Sequence, residues 1–297
     1  MQEKKTISVS LVLAASWAAQ GAWAQGDDFA SVEIQVREVA DGVYYLEGRG
    51  GNIGLSVGED GVVMIDDQFA PLTDKILAAI DTVSDGEVLF VINTHVHPDH
   101  TGGNENLGNM GIPILAHDNV RTRMQQGMRG GPPSPDAALP VVTYSEATTL
   151  HFNGEEMRVI KVPAAHTDGD SIIHFVNANV IHTGDVFRTT GYPRIDADNG
   201  GTATGTIETL DLLIEMAGAD TKVLPGHGEV TDRDDVREFR DMVAEVYSRV
   251  KPMVEEGMTL EQVVAAEPTA DLDERWGDPE GFLPGLYQSI ANELQGR

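Results

Sequence analysis

The stretch His95-Val96-His97-Pro98-Asp99-His100 decides how this chain reads. Four metal-competent side chains fall within six residues, directly after the apolar run Val88-Leu89-Phe90-Val91-Ile92. That run has the pattern of a buried strand. A strand that stops and presents imidazoles and a carboxylate in a loop lets a rigid scaffold hold a metal at the edge of a sheet. His95 and His97 are two apart, so in extended chain they point to one side. Pro98 turns the chain, and Asp99 and His100 face a second position beside the first. Gly102-Gly103 then let the backbone pass close by before a helical turn.

Three later segments repeat the arrangement. His166 lies in Pro163-Ala164-Ala165-His166-Thr167-Asp168 after the apolar run 157–162. Asp185 ends Val180-Ile181-His182-Thr183-Gly184-Asp185, and His227 ends Val223-Leu224-Pro225-Gly226-His227. Each candidate donor stands at a strand end followed by a loop. The pattern HxHxDH, with His166, Asp185 and His227 in this order, resembles the metallo-β-lactamase superfamily. The resemblance implies an α/β fold, an αββα sandwich of two similar halves with metals at one edge between the sheets. It implies that His95, His97 and His166 form one metal site. Asp99, His100 and His227 form the second, and Asp185 bridges the two. Neutral imidazoles and hard carboxylates suit two zinc ions best, with iron or manganese as alternatives.

The remaining histidines read differently. His174 and His182 lie inside strand-like runs, as buried, hydrogen-bonded side chains. His117 precedes a helix cap at Asp118.

Lys4 and Lys5 precede an apolar stretch over 7–19, and small residues end in Ala22-Trp23-Ala24. A positive start, a short apolar middle and an A-x-A site make a secretory signal peptide over 1–24, cut near Ala24. The expected location is periplasmic or secreted, with residues 25–297 as one hydrolase domain. The apolar segment is too short for a comfortable membrane span. About 270 residues suit a single large α/β unit. The chain contains no cysteine, which excludes disulfides and a cysteine ligand at the second metal. Its net charge is −28, near −29 once the +1 of residues 1–24 is removed. Such an acidic surface repels polyanions and argues against nucleic-acid partners. The expected partner is a small-molecule substrate, with no membrane association.

Strand-like runs occupy 33–39, 43–47, 53–57, 61–66 and 88–93, with helices over 72–83 and 118–128. A second set of strands follows near 141–144, 156–162, 172–176 and 180–183. Next come a helix near 204–217, a short strand at 222–225 and a long helix from Thr231 or Asp232. Val236, Phe239, Met242, Val243, Val246, Tyr247 and Val250 give that long helix one apolar stripe. Helices at 259–266 and 279–294 close the chain. Residues 125–140, QQGMRGGPPSPDAALP, read either as a passive connector or as a mobile loop beside the metals.

Arg188, Tyr192, Arg194 and Asp196 follow Asp185. Arg188 or Arg194 suits a bidentate contact to a substrate carboxylate, and Tyr192 suits donation to an oxyanion. By the resemblance, Asp66 or Asp67 backs a ligating histidine, whose outer nitrogen needs a partner. The expected reaction is metal-assisted hydrolysis of a carbonyl compound, with Asp99 as catalytic carboxylate orienting the nucleophile.

Export favours a β-lactam as substrate and weighs against cytosolic glutathione thioesters. The resemblance also sets a limit, because dedicated β-lactamases place cysteine or serine where Asp185 stands. Family members with the aspartate include lactonases, thioesterases and phosphodiesterases, so β-lactam turnover is expected to be weak or promiscuous. Two other classes remain. An iron-dependent oxidoreductase of this fold uses a glutamate at the position of His97. An exported zinc-binding protein without turnover has no need of so complete a donor set.

Overall fold

A computed structural model describes residues 29–296. The expected signal segment over 1–24 lies outside the described residues. The chain builds two sheets. The first holds β1 (Gln35–Ala40), β2 (Val43–Glu47), β3 (Ile53–Gly58), β4 (Gly61–Ile65), β5 (Val88–Ile92), β6 (Ile114–His117) and β7 (Val142–Tyr144), adjacent in sequence order. β1 to β4 form an antiparallel meander, and β4 to β7 run parallel. The second sheet has the order β12-β11-β10-β9-β8, from β8 (Ala147–Phe152), β9 (Glu155–Lys161), β10 (Ser171–Phe175), β11 (Val180–His182) and β12 (Lys222–Leu224). Only the β11–β12 pair is parallel there.

Strand alternation sorts the core into layers. On β4, Val63 and Ile65 pack with Ile173 and Phe175 of β10, in the apolar layer between the sheets. Val62 and Met64 of the same strand point the other way, onto Ile76 and Ile80 of α1 (Thr73–Ile80). Both faces of β4 are therefore covered, which is why it reads as a continuous apolar run. On β10 and β11, Ile172 and Ile181 pack outward against Val236, Phe239 and Val243 of α6 (Arg233–Glu255). The layers are helix, sheet, sheet, helix. The expected αββα sandwich is present, with sheets of unequal size.

α6 begins where the expected cap lies. The Asp232 side chain accepts from the backbone N–H of Asp234 and Asp235, at 2.8 and 3.4 Å. Its apolar stripe is buried against α5 (Ala203–Met216) and the second sheet. Fully burying one such side chain, Phe239, is worth about 3 kcal/mol. The carboxy-terminal helices are α7 (Leu260–Ala265), α8 (Asp273–Trp276) and α9 (Leu283–Leu294).

Several expectations are corrected. β6 has four residues buried on both faces, too few to show a period. β8 is an edge strand with Ala147, Thr149 and His151 on its open face, so its apolar signal is weak. His117, rather than Asp118, caps α4 (Asp118–Gln126), and its Nδ1 accepts from Asn119 N–H at 3.1 Å. Residues 125–140 are not a flap beside the donors. They form two short 3-10 turns, bury Ala138 and Leu139, and accept a 3.0 Å hydrogen bond at Ala138 O from Asn104 of α3 (Asn104–Asn109).

Candidate metal centre

All seven expected donors converge at one edge of the sandwich. β5 ends at Ile92 and leads into Asn93-Thr94-His95, followed by α2 (Pro98–Thr101). The β9–β10 loop carries His166. β11 leads to Asp185, and β12 leads to His227. A hydrogen bond of 2.9 Å from Ser171 N–H to Thr94 O joins the two sheets at this edge. Three groups have donor atoms mutually within 4.8 Å: His95, His97 and His166; His95, His100 and Asp185; and Asp99, His100 and His227.

For four of the imidazoles an outer partner fixes which nitrogen faces inward. Arg194 O accepts from His166 Nδ1–H at 2.7 Å. The Asp196 carboxylate accepts from His97 Nε2–H at 2.6 Å. Asp66 Oδ2 meets His100 Nδ1 at 2.7 Å and also accepts from Thr94 Oγ1 at 2.7 Å. Having given its proton to Asp66, Thr94 Oγ1 accepts from His95 Nδ1 at 3.0 Å. Four inner nitrogens are left as lone pairs aimed at one another. His97 Nδ1 and His166 Nε2 lie only 2.7 Å apart. Lone pairs at that distance repel unless a proton or a cation stands between them.

Buried polar atoms make the same point. His95 Nε2, His100 Nε2 and Asp185 Oδ1 are buried without a hydrogen-bond partner. The last two are 3.1 Å apart but lack hydrogen-bond alignment. Stranding three such atoms is costly, so each is expected to have a partner. Divalent cations fit this donor set of imidazole nitrogens and carboxylate oxygens. Asp185 sits between the groups. Its Oδ2 is 3.6 Å from His166 Nε2 and 3.3 Å from His227 Nε2, which also lies 3.3 Å from Asp99 Oδ2.

Electrostatics prepares these groups. Burial alone would raise Asp185 and Asp99, but the neighbouring His100 and His227 hold both well below the usual carboxylate range. Burial pulls His95 and His166 down, and nearby imidazoles add to the effect. His100 and His227 go the other way. Burial opposes their charge, yet the carboxylates lift their proton affinity above the ordinary value.

Close backbone approaches complete the site. A Cβ on Gly51 would fall 2.1 Å from His100 Cε1, and one on Gly226 would fall 2.1 Å from Asp185 Oδ1. Asn52 straps the two halves together, donating from Nδ2 to Pro225 O and Gly228 O at 2.9 and 2.8 Å. Buried His182 bonds Asn52 O through Nε2 at 3.2 Å, in line with its structural reading.

The donors open onto a cleft of about 750 Å³, within the range of small-molecule sites. Arg188 and Arg194 line it. Tyr192 does not. It is buried in the helical layer, stacks on Phe282, and donates to Asp273 Oδ1 at 2.8 Å, so it is not placed to meet an oxyanion. Of the two aspartates after β4, Asp66 backs a donor. Asp67 instead accepts from Gly103 N–H at 2.8 Å. Thr94, Gly51 and Asn52 escaped the sequence reading. Asp196 was among the candidates, without its role behind His97. The far wall comes from Leu260, Pro284, Tyr287 and Gln288, whose only sequence signal is helical periodicity.

Fold and site together define the class of metal-dependent hydrolases. The sequence matches the metallo-beta-lactamase superfamily over residues 46–228, and the chain belongs to that family. A hydroxyacylglutathione hydrolase of Gloeobacter violaceus is 30% identical over 141 residues, covering 48% of this chain and 50% of that enzyme. One from Brucella ovis is 27% identical over 201 residues, covering 64% and 69%. The sec-alkylsulfatase Pisa1 from Pseudomonas sp. superposes with a TM-score of 0.71 at 17% identity, over 89% of this chain and 50% of that one. A metallo-beta-lactamase from Pontibacter korlensis gives 0.61 at 17% identity, over 71% and 99%. The chain therefore spans about half the length of the Gloeobacter enzyme and of the sulfatase.

Proposed function

We propose that this protein hydrolyses an acyl bond, an ester or thioester, in a small molecule, using two zinc ions held by the seven donors. The observation that carries this reading is the Asp185 carboxylate between the two groups, at a position where dedicated β-lactamases of the resembled family have cysteine or serine. The naming of two relatives as hydroxyacylglutathione hydrolases supports the same choice. Histidine and carboxylate donors without thiolate suit zinc, with iron or manganese as competitors.

Two divalent cations, when bound, supply Lewis acidity and bring the pKa of water toward about 7. The chain's own groups do the rest. Asp99, part-exposed at the cleft, orients the attacking water. Asp66, Asp196, Thr94 and Arg194 O hold the imidazoles in fixed tautomers, so that little reorganisation accompanies the reaction. Water adds across the acyl C–O or C–S bond, yielding a carboxylic acid and an alcohol or thiol. Export is proposed from residues 1–24 alone, and amino-terminal sequencing of the mature protein tests it, with Gln25 as the expected first residue.

The test is turnover of a thioester, a lactone and a chromogenic cephalosporin by zinc-loaded protein, with a chelator control. An ester or thioester kcat/KM of about 10⁴ M⁻¹s⁻¹ or more, lost on chelation, is expected. The cephalosporin should be slower by orders of magnitude. The reverse order would make this chain a β-lactamase. No chelator-sensitive hydrolysis of any of the three would end the hydrolase reading.

A further inference from the structure

Resting on the reading of a two-ion centre, we propose that α9 positions His97 and His166 through the strap 194–203. One donor group then depends on the carboxy-terminal helices, and the other does not. The strap meets both imidazoles. Arg194 O takes His166 Nδ1–H and the Asp196 carboxylate takes His97 Nε2–H, at 2.7 and 2.6 Å. Backbone bonds sew the same strap to the His166 loop. Asp196 N–H donates to His166 O and Thr202 N–H to Ala165 O, both at 2.9 Å. Asn199 holds the Asp196 carboxylate in turn, donating from its backbone N–H at 3.1 Å and from Nδ2 at 2.8 Å. The bracing of the second group comes from elsewhere. Asp66 and Thr94, just past the ends of β4 and β5, hold His100 and His95.

The strap is held from behind by α9. Ile195 is buried in the same apolar cluster as Leu283, Leu286 and Ile290 of that helix. At the end of the strap, Ala203 N–H donates to the buried Ser289 Oγ at 2.8 Å. Between these contacts the two backbones nearly touch. A Cβ on Gly285 would fall 2.2 Å from Ile195 O, a backbone atom that cannot rotate away. Glycine is a poor helix former, so its place inside α9 marks this close approach and not a helical preference. Ile195 stands between the two bracing residues, Arg194 and Asp196. Displacing its carbonyl displaces both, and hydrogen bonds of 2.6 and 2.7 Å do not survive such a shift. α9 lies beyond residue 228, outside the segment that matches the family.

Zinc competition with a chromophoric chelator, on the wild type and Gly285→Ala, tests this. The wild type should resolve two dissociation constants. In Gly285→Ala one should weaken about tenfold or more while the other stays within about twofold. Imidazole N–H proton signals of the zinc-loaded protein assign the loss. Those of His97 Nε2–H and His166 Nδ1–H should shift or exchange away, and that of His100 Nδ1–H should persist. Ser289→Ala removes one hydrogen bond without adding bulk and should weaken the same constant about threefold. It carries the test if Gly285→Ala does not fold. Val250→Ala opens a cavity in the same helical layer and should leave both constants unchanged. Unchanged constants in folded Gly285→Ala, or in Ser289→Ala where that variant alone folds, would overturn the role of α9 and leave the two-ion centre standing. So would an equal loss in Val250→Ala, or a loss confined to the His100 signal. A wild type that takes up no zinc would remove the two-ion centre and its bracing together.

Discussion

Asp66 braces His100 from behind, its Oδ2 2.7 Å from Nδ1, with neither side chain exposed to solvent. The geometry depends on an unusual backbone, because Asp66 sits at φ 64°, in the left-handed region. That turn swings the carboxylate under the loop, where it also accepts from Thr94 N–H at 2.7 Å. A non-glycine residue there carries strain of about 1–3 kcal/mol, held in place by the surrounding contacts. Asp66→Asn keeps the size and removes the charge. Metal affinity should fall about 10- to 100-fold in a chelator competition. Wild-type affinity in the variant would show that the brace is unimportant.

Gly226 is required by its neighbour. A Cβ there would overlap Asp185 Oδ1 at 2.1 Å and the Gly184 carbonyl carbon at 2.6 Å. Gly226→Ala should push Asp185 out of the gap between the donor groups. Overpacking of this kind costs about 1–3 kcal/mol, visible in urea unfolding. Elemental analysis should show bound metal dropping by about half or more relative to the wild type, and full loading would contradict the role given to Asp185.

His182 gives the fold a pH dependence of its own. Burial lowers its proton affinity, and its Nδ1 accepts from Gly184 N–H at 3.2 Å, a bond that protonation would break. In the unfolded chain the same imidazole titrates near pH ~6.5. The unfolded state therefore binds the extra proton, and the stability linked to His182 is present above pH ~6.5 and lost as the pH falls below it. His182→Asn retains an acceptor without titrating. Urea midpoints of metal-free protein from pH 7.5 to 5.5 should decline less in the variant, by up to about 1.4 kcal/mol per pH unit. Parallel declines would rule out His182 as the source.

Phe239 is fully buried on α6 and meets Phe187 edge to face, with centroids 5.2 Å apart. Phe239→Ala should cost about 3–5 kcal/mol. For a chain of this size that lowers Tm by roughly 10 °C. A shift of a degree or two would mean that the helical layer collapses around the gap.

How much of this was legible beforehand varies with the range of the interactions. The seven donors could be read because all stand just past strand ends, four after β5 and one each after β9, β11 and β12, so local sequence carries both the residue and its position. Asp196 could be named but not given its role, since its partner His97 lies 99 residues away. Nothing near Tyr192 announces that Asp273 will claim its hydroxyl. The 125–140 loop stayed open between two readings for a related reason: its glycines and prolines report the lack of a regular element, whereas its buried alanine and leucine report where it docks. β6 and β8 were missed because a four-residue strand has no period and an edge strand has only half of one.

The Asn52 strap points to a last consequence. Four donors, His95, His97, Asp99 and His100, belong to the first sheet's half of the chain, and three, His166, Asp185 and His227, to the second's. Any ion captured there is a staple across the seam between them. Free energy released on capture is then free energy that keeps the seam shut. A chain whose halves have docked out of register holds no ions and turns over nothing, so catalytic competence doubles as the protein's proof of correct assembly.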